Sequence, residues 1–106
     1  MNALKIPRAN NIREVIVKEI IRVEALSNYS RIHLSNGKKI VVAKVLHWFE
    51  DELPIEMFTR VHRSHLINKH FIQQVKGIRS KTLLLNNGES ISISRRKKIA
   101  LNSFLS

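Results

Sequence analysis

The chain has 106 residues, enough for one small domain that buries roughly two-thirds of the surface its unfolded chain exposes. It has no cysteine, which excludes disulfides, thiolate chemistry and cysteine-based zinc sites, and its apolar runs are too short for a membrane span or a signal peptide. Nineteen Lys and Arg against eight Asp and Glu leave +11, a balance that in a globular composition points to a polyanion, usually nucleic acid. The excess is uneven. Residues 1–56 hold nine basic and seven acidic side chains, whereas residues 57–106 hold ten basic and one acidic, Glu89. A cytoplasmic protein is expected.

In chain order, residues 1–10 read as an irregular N-terminal arm, because Pro7 and the Asn10-Asn11 pair interrupt regular structure. Residues 11–106 then form one domain. Ile12 to Val17 is β-rich, and Val17 to Ile20 tightens into a turn. Ile21, Val23 and Ala25 alternate with Arg22 and Glu24, the period of a half-buried strand. Leu26 to Ser30 is a polar loop or strand edge. Arg31 to Leu34 and Lys38 to Val42 are strands joined by Ser35-Asn36-Gly37, and Asn-Gly between such runs predicts a hairpin through a type I′ turn.

Ala43 to Leu53 reads as a helix, with Val45, Leu46, Trp48, Phe49 and Leu53 at helical spacing and Pro54 as its stop. Its acidic end, Glu50 to Glu52, reads as a solvated face. In an extended run, Phe58, Arg60 and His62 face one way, and Thr59 and Val61 the other. Arg63-Ser64-His65 breaks that run. Leu66-Ile67 is apolar, Asn68-Lys69 turn-like, and Phe71, Ile72 and Val75 restart a strand. Ser80-Lys81 is a tight connection. Thr82 to Leu85 and Glu89 to Ile93 flank a second Asn-Gly turn, and Ser94 to Phe104 is a second helix candidate. Residues 34–44 are weakly echoed, 51 positions on, by residues 85–95.

The sharpest local feature is Ser94-Arg95-Arg96-Lys97-Lys98. Ser94 is a good N-cap, and cations at a helix N-terminus oppose its dipole. A ligand anion relieves that conflict, because free backbone N–H groups and cations then converge on one phosphate. Arg63-Ser64 pairs a planar fork suited to phosphate or guanine with a phosphate-type donor. His62, His65 and His70 cluster, but an extended chain puts residues three apart on opposite faces and no acidic residue stands near to complete a shell. No metal site is expected. No Ser-His-acid arrangement or Gly-rich phosphate loop is present, so neither an enzyme nor a cofactor is expected.

Taken together, "VEALSNYS" (23–30), "FTRVHRSHLIN" (58–68) and "ISISRR" (91–96), with the two Asn-Gly turns between them, resemble the LytTR-type DNA-binding domain of bacterial transcription regulators. The likeness runs from about Val15 to Leu105. It implies a mainly β fold of elongated antiparallel sheets with one or two short helices. It also implies that loops, rather than a recognition helix, enter the major groove, on paired direct repeats in promoters that leave room for a second copy. The family's contact loops map onto Asn28, Tyr29, Ser30 and Arg31, onto Arg63 and Ser64, and onto Ser94, Arg95, Arg96 and Lys97. Members usually carry the domain behind a phosphoacceptor receiver domain, as response-regulator output. A receiver does not fit in 106 residues beside it, so the chain reads as a stand-alone regulator or a fragment.

The expectation is a sequence-specific, non-enzymatic binder of double-stranded DNA with no membrane partner. The alternative is an RNA-binding or ribosome-associated basic module. RNA readers usually display several aromatic rings on a sheet for base stacking, whereas the six aromatics here stand mostly at core-type positions.

Overall fold

The computed structural model describes residues 1–77 and 81–94. Among these residues, ten strands form three antiparallel sheets. Strand β1 (Ala3–Pro7) pairs with β2 (Ile12–Ile16). A five-stranded central sheet follows the order β5-β4-β3-β7-β6, made of β3 (Ile20–Leu26), β4 (Tyr29–Leu34), β5 (Lys39–Val42), β6 (Phe58–His62) and β7 (His65–Asn68). Strands β8 (Ile72–Lys76), β9 (Thr82–Leu85) and β10 (Ser90–Ser92) make the third sheet. A helix, α1 (Leu46–Glu52), joins β5 to β6, and single 3-10 turns at Val17–Glu19 and Lys69–Phe71 lead into β3 and β8. The molecule measures 48 × 24 × 22 Å, the elongated, mainly β form expected.

Both faces of the central sheet are covered. On one, Leu4, Ile6 and Val15 of the first hairpin and Leu46 and Phe49 of α1 pack on Ile20, Val23, Ile32, Phe58 and Leu66. On the other, Leu83, Leu85 and Ile91 of the third sheet pack on Ile21, Val61 and Ile67. Full burial of such side chains contributes roughly 1.5–3 kcal/mol each.

Among the described residues, three bulges shift the alternation. Ile21 and Arg22 together oppose His33, Val61 and His62 oppose His65, and Gln73 and Gln74 oppose Leu84. A bulge turns two consecutive side chains toward one face. His62 therefore joins Val61 and His65, not Arg60 and Phe58. The rings of His62 and His65 lie 5.4 Å apart, where unbroken alternation would have separated them. Among the described residues they belong to no group of three or more metal-ligating side chains.

Four further expectations need correcting. The N-terminal ten residues are not irregular. Leu4 and Ile6 are buried core residues of β1, and Pro7 is tolerated at the end of an edge strand, where its missing N–H costs no ladder bond. Asn10 and Asn11 instead serve the turn, with the Arg8 N–H donating to the Asn11 carbonyl. The helix is shorter than its apolar spacing suggests. Val45 is its N-cap residue and points outward, because Ala43 to Val45 are spent on leaving β5. Its acidic end is not wholly solvated, because Glu50 pairs with Arg60 at 2.6 Å.

Neither Asn-Gly hairpin is type I′. Only Gly37 (φ 87°) and Gly88 (φ 91°) have positive φ in these turns. Gly37 N–H donates to Leu34 and Leu34 N–H to Lys38; Gly88 and Leu85 repeat this with Leu85 and Glu89. These are three-residue loops, a tight turn followed by a left-handed glycine. The expected C-terminal helix lies beyond Ser94, and Ser80 of the 80–81 connection lies between the two stretches, so both fall outside the described residues.

Candidate nucleic-acid interface

Antiparallel register decides what meets at each end of the central sheet. Strand β3 ends at the two-residue turn Ser27-Asn28, where β4 begins. On its other side, Glu24 is paired with His65, and the Ala25 N–H donates 2.9 Å to the Ser64 carbonyl. The Arg63-Ser64 turn thus sits beside the Ser27-Asn28 turn. Beyond β10, the Ser94 N–H donates 2.8 Å to the Val61 carbonyl, which brings the start of the basic run to the same end. The three segments that sequence alone singles out therefore converge, although the first and last lie more than 60 residues apart.

Within this end the side chains differ in what they can offer. Asn28, Tyr29 and Arg63 are exposed, Tyr29 by 52%. Arg31 is half-exposed and lies 3.5 Å from Glu24 Oε1. Ser64 is half-buried, its N–H donating to His62 Nδ1 at 3.1 Å. Ser30 is fully buried, and its hydroxyl donates 2.7 Å to the Lys44 carbonyl, so it supports the loop from within. Ser94 is half-buried; Arg95, Arg96 and Lys97 lie outside the described residues.

Sequence reasoning missed the side chains that hold these turns. Arg60 donates 2.6 Å to Glu50 Oε1 and 2.6 Å to the Arg63 carbonyl, tying α1 to the turn that presents Arg63. Between β3 and the third sheet lies a second network. Arg22 is buried and donates to both carboxylate oxygens of Glu89, at 3.3 and 2.8 Å. A buried guanidinium requires such a fork-to-fork partner. Its Nη1 stands 3.8 Å from Glu24 with no hydrogen bond. His33 Nε2 lies 3.0 Å from Glu24 Oε1, and because a carboxylate only accepts, Nε2 carries the proton. The strand alternation exposes the facing of Arg22 and Glu24, but their partners across sheets leave no local signal.

The electrostatics follow. The Arg22 hydrogen bonds overcome the burial of Glu89 and pull its carboxyl down to about 2. At Glu24, burial opposes ionisation, but the His33 hydrogen bond and the charges of Arg22, His33 and Arg31 prevail and lower its pKa. Burial lowers His33, against the pull of its Glu24 hydrogen bond, and burial with the nearby Arg22 charge lowers His65. Both rings are neutral at physiological pH.

The domain thus gathers polar and basic turns at one end of a sheet that is covered on both faces. The LytTr DNA-binding domain model matches residues 10–106, and the chain belongs to that family, one of DNA-binding domains rather than of enzymes. Its structure is similar to the LytTr DNA-binding domain of a Bacillus cereus protein described as a methyl-accepting/DNA response regulator. The two share 19% identity and a TM-score of 0.83, over 100% of this chain and 98% of the other, which establishes a common fold. Among curated proteins none matches by sequence. No helix among the described residues is long and apolar enough to cross a membrane.

Proposed function

We propose that the chain is the sequence-specific, double-stranded-DNA-binding part of a cytoplasmic transcription regulator, with residues 11–106 as the binding unit. Its loops enter the major groove, and paired direct repeats accommodate a second copy. The observation that carries this reading is the convergence of the Asn28–Arg31, Arg63-Ser64 and Ser94 segments at one end of the central sheet. Arg63 is exposed on a turn whose backbone Arg60 and His62 hold, so its fork is presented in a fixed place for guanine O6 and N7. Asn28, Tyr29 and Arg31 add polar contacts beside it. Arg95, Arg96 and Lys97 supply phosphate or base-edge contacts from the basic run. The RNA reading is disfavoured because, among the described residues, Tyr29 is the only exposed Phe, Tyr or Trp ring.

The test begins by selecting bound sequences from a random duplex library, then compares Arg63→Ala and Lys97→Ala on the selected and a random duplex at one salt concentration. Arg63→Ala is expected to weaken the selected site by roughly 1–3 kcal/mol more than the random duplex, the worth of a bidentate base contact. Lys97→Ala is expected to weaken both by a similar factor. Equal losses for Arg63→Ala on both duplexes would remove its base-reading role.

A further inference from the structure

The molecule contains one β-meander twice. A 3-10 turn leads into β3 at Val17–Glu19 and into β8 at Lys69–Phe71. Each strand is bulged just after its first residue, against β4 and β9 respectively. Each meander then closes through the same three-residue Asn-Gly loop. The last residue of each 3-10 turn even accepts the same kind of bond, Glu19 from the Ser35 N–H and Phe71 from the Asn86 N–H, both at 2.8 Å. The end of β8 and the start of β9 therefore occupy, in the third sheet, the place that the Ser27-Asn28 turn occupies in the central one.

That end carries two lysines. Lys76 is the last residue of β8, exposed, and paired in register with Thr82; Lys81 immediately precedes β9 and is half-buried. The Lys81 carbonyl accepts the Ile93 N–H at 3.0 Å, next to the Ser94–Val61 bond that reaches the central sheet. Neither lysine has an acidic partner among the described residues, and Glu89, the single acid after residue 57, sits at the opposite end on Arg22. In the first meander the pair at the same register is Glu24 and Arg31, 3.5 Å apart, so the acid there is met by a cation, whereas Lys76 pairs with Thr82.

We propose that Lys76 and Lys81 form a further DNA-backbone contact, so that the duplex lies across the ends of both meanders and not against the central sheet alone. This rests on the DNA-binding reading above. Packed sheets stand about 10 Å apart, a separation spanned by roughly three base-pair steps of a strand. The pair thus reaches phosphates that flank the base met by Arg63, and its contribution is to affinity and footprint length, not to base choice.

The experiment measures binding of a random-sequence duplex over a salt series for the parent chain, Lys76→Ala/Lys81→Ala, and Lys38→Ala/Lys39→Ala. The last pair removes the same charge from the opposite end of the central sheet. Each neutralised phosphate adds about 0.9 to the log–log salt slope, so the Lys76/Lys81 variant is expected to lose between about one and two units of slope. The Lys38/Lys39 variant is expected to keep the parental slope, and hydroxyl-radical footprints on the selected duplex should shorten on one flank only for the Lys76/Lys81 variant. Equal slopes and footprints for the parent and the Lys76/Lys81 variant, with matching thermal melts, would overturn the inference and leave the DNA reading standing. A parent chain that binds duplex without salt dependence would overturn both.

Discussion

The two meanders share a backbone plan and differ in what surrounds them. In the first, β3 is flanked by β4 and β7 and covered on both faces, and its first four residues are all buried. In the second, β8 is an edge strand with only Ile72 and Val75 half-buried. Polar residues accordingly behave differently. Gln73, Gln74 and Lys76 of β8 meet solvent and need no partner. Arg22 of β3 is buried, and its partner Glu89 reaches across from the second meander. The same turn position illustrates the point. In both Asn-Gly loops the Asn side chain accepts the N–H two residues on, from Lys38 at 2.9 Å in one copy and from Glu89 at 3.0 Å in the other. One backbone solution therefore serves a solvated lysine in one sheet and an inter-sheet ion pair in the other.

The largest expected effect comes from breaking the residue that joins the copies. Asn68 is fully buried, donates 2.9 Å to the Ile20 carbonyl at the start of β3, and accepts the His70 N–H at 3.0 Å at the turn into β8. Asn68→Ala loses both bonds and strands a buried carbonyl, a cost of about 2–4 kcal/mol. Urea unfolding should report it as a lower midpoint at an unchanged slope with denaturant. A loss below about 0.5 kcal/mol, the range of an ordinary surface change, would mean water replaces the amide and the copies are held by apolar packing alone.

Exchanging the turn charges separates the copies next. Glu89→Lys places a second cation against Arg22 and should cost about 1–3 kcal/mol, moderated by the partial exposure of Glu89. Lys38→Glu at the matching position should change stability by less than about 0.5 kcal/mol. The pair also predicts an acid window. The carboxyl titrates at 4.5 when unperturbed and at about 2 in the folded chain. Its stabilisation is therefore complete above pH 4.5 and lost as pH falls toward about 2. In Glu89→Gln this loss should flatten, with a residue left from Glu24. Neutral burial of His33 and His65 produces an earlier decline that begins as pH falls through 6.5, so the comparison belongs below pH 4.5. Identical acid profiles for parent and Glu89→Gln would contradict the depressed carboxyl.

These contrasts mark what the sequence makes legible. Strands β3, β4, β5 and β9 announce themselves by alternation or apolar runs between turn residues, and both glycine turns by Asn-Gly. A bulge has no compositional mark, so the facing of His62 and the joint burial of Ile21 with Arg22 were unreadable. Strand β1 was hidden because Pro7 is penalised in general but harmless at an edge. At the candidate site, Arg63 and Ser64 stand out by type and by the break in pattern. The inward turn of Ser30 depends on Lys44, 14 residues away, and the hold of Glu50 and Arg60 on the Arg63 turn depends on helix-to-strand packing. Such contacts are set by the tertiary arrangement rather than by local propensity.

Gly37 and Gly88 sharpen the comparison further. A Cβ at either would meet nothing within 4 Å, so substitution there costs backbone strain without a clash. Gly37→Val and Gly88→Val should each lose about 1–2 kcal/mol and agree within about 0.5 kcal/mol, because the two loops are the same. Thermal melting decides it. Unequal losses would show that the sheets around the two loops, and not the loops, set the cost.

The smallest effect concerns the residue that follows the first strand of each meander. Ser27 follows β3 with φ 59°, and Gly77 follows β8 with φ 96°. Among the described residues Ser27 is the only non-glycine with positive φ, and it sits at the tip of the proposed reading end. A left-handed conformation costs an ordinary L-residue roughly 1–2 kcal/mol, while glycine gives back roughly 0.5–1 kcal/mol in chain entropy. Ser27→Gly should therefore raise stability by about 0.5–1 kcal/mol, read as a higher melting temperature. Strained positions tend to persist where geometry matters for function. The same change makes the Ser27-Asn28 turn more mobile beside Asn28 and Tyr29, so affinity for a selected duplex should fall while affinity for random duplex holds. A variant that gains stability and keeps its full preference for the selected duplex would show that the strain at Ser27 serves the turn alone, and that the reading end tolerates the second copy's glycine.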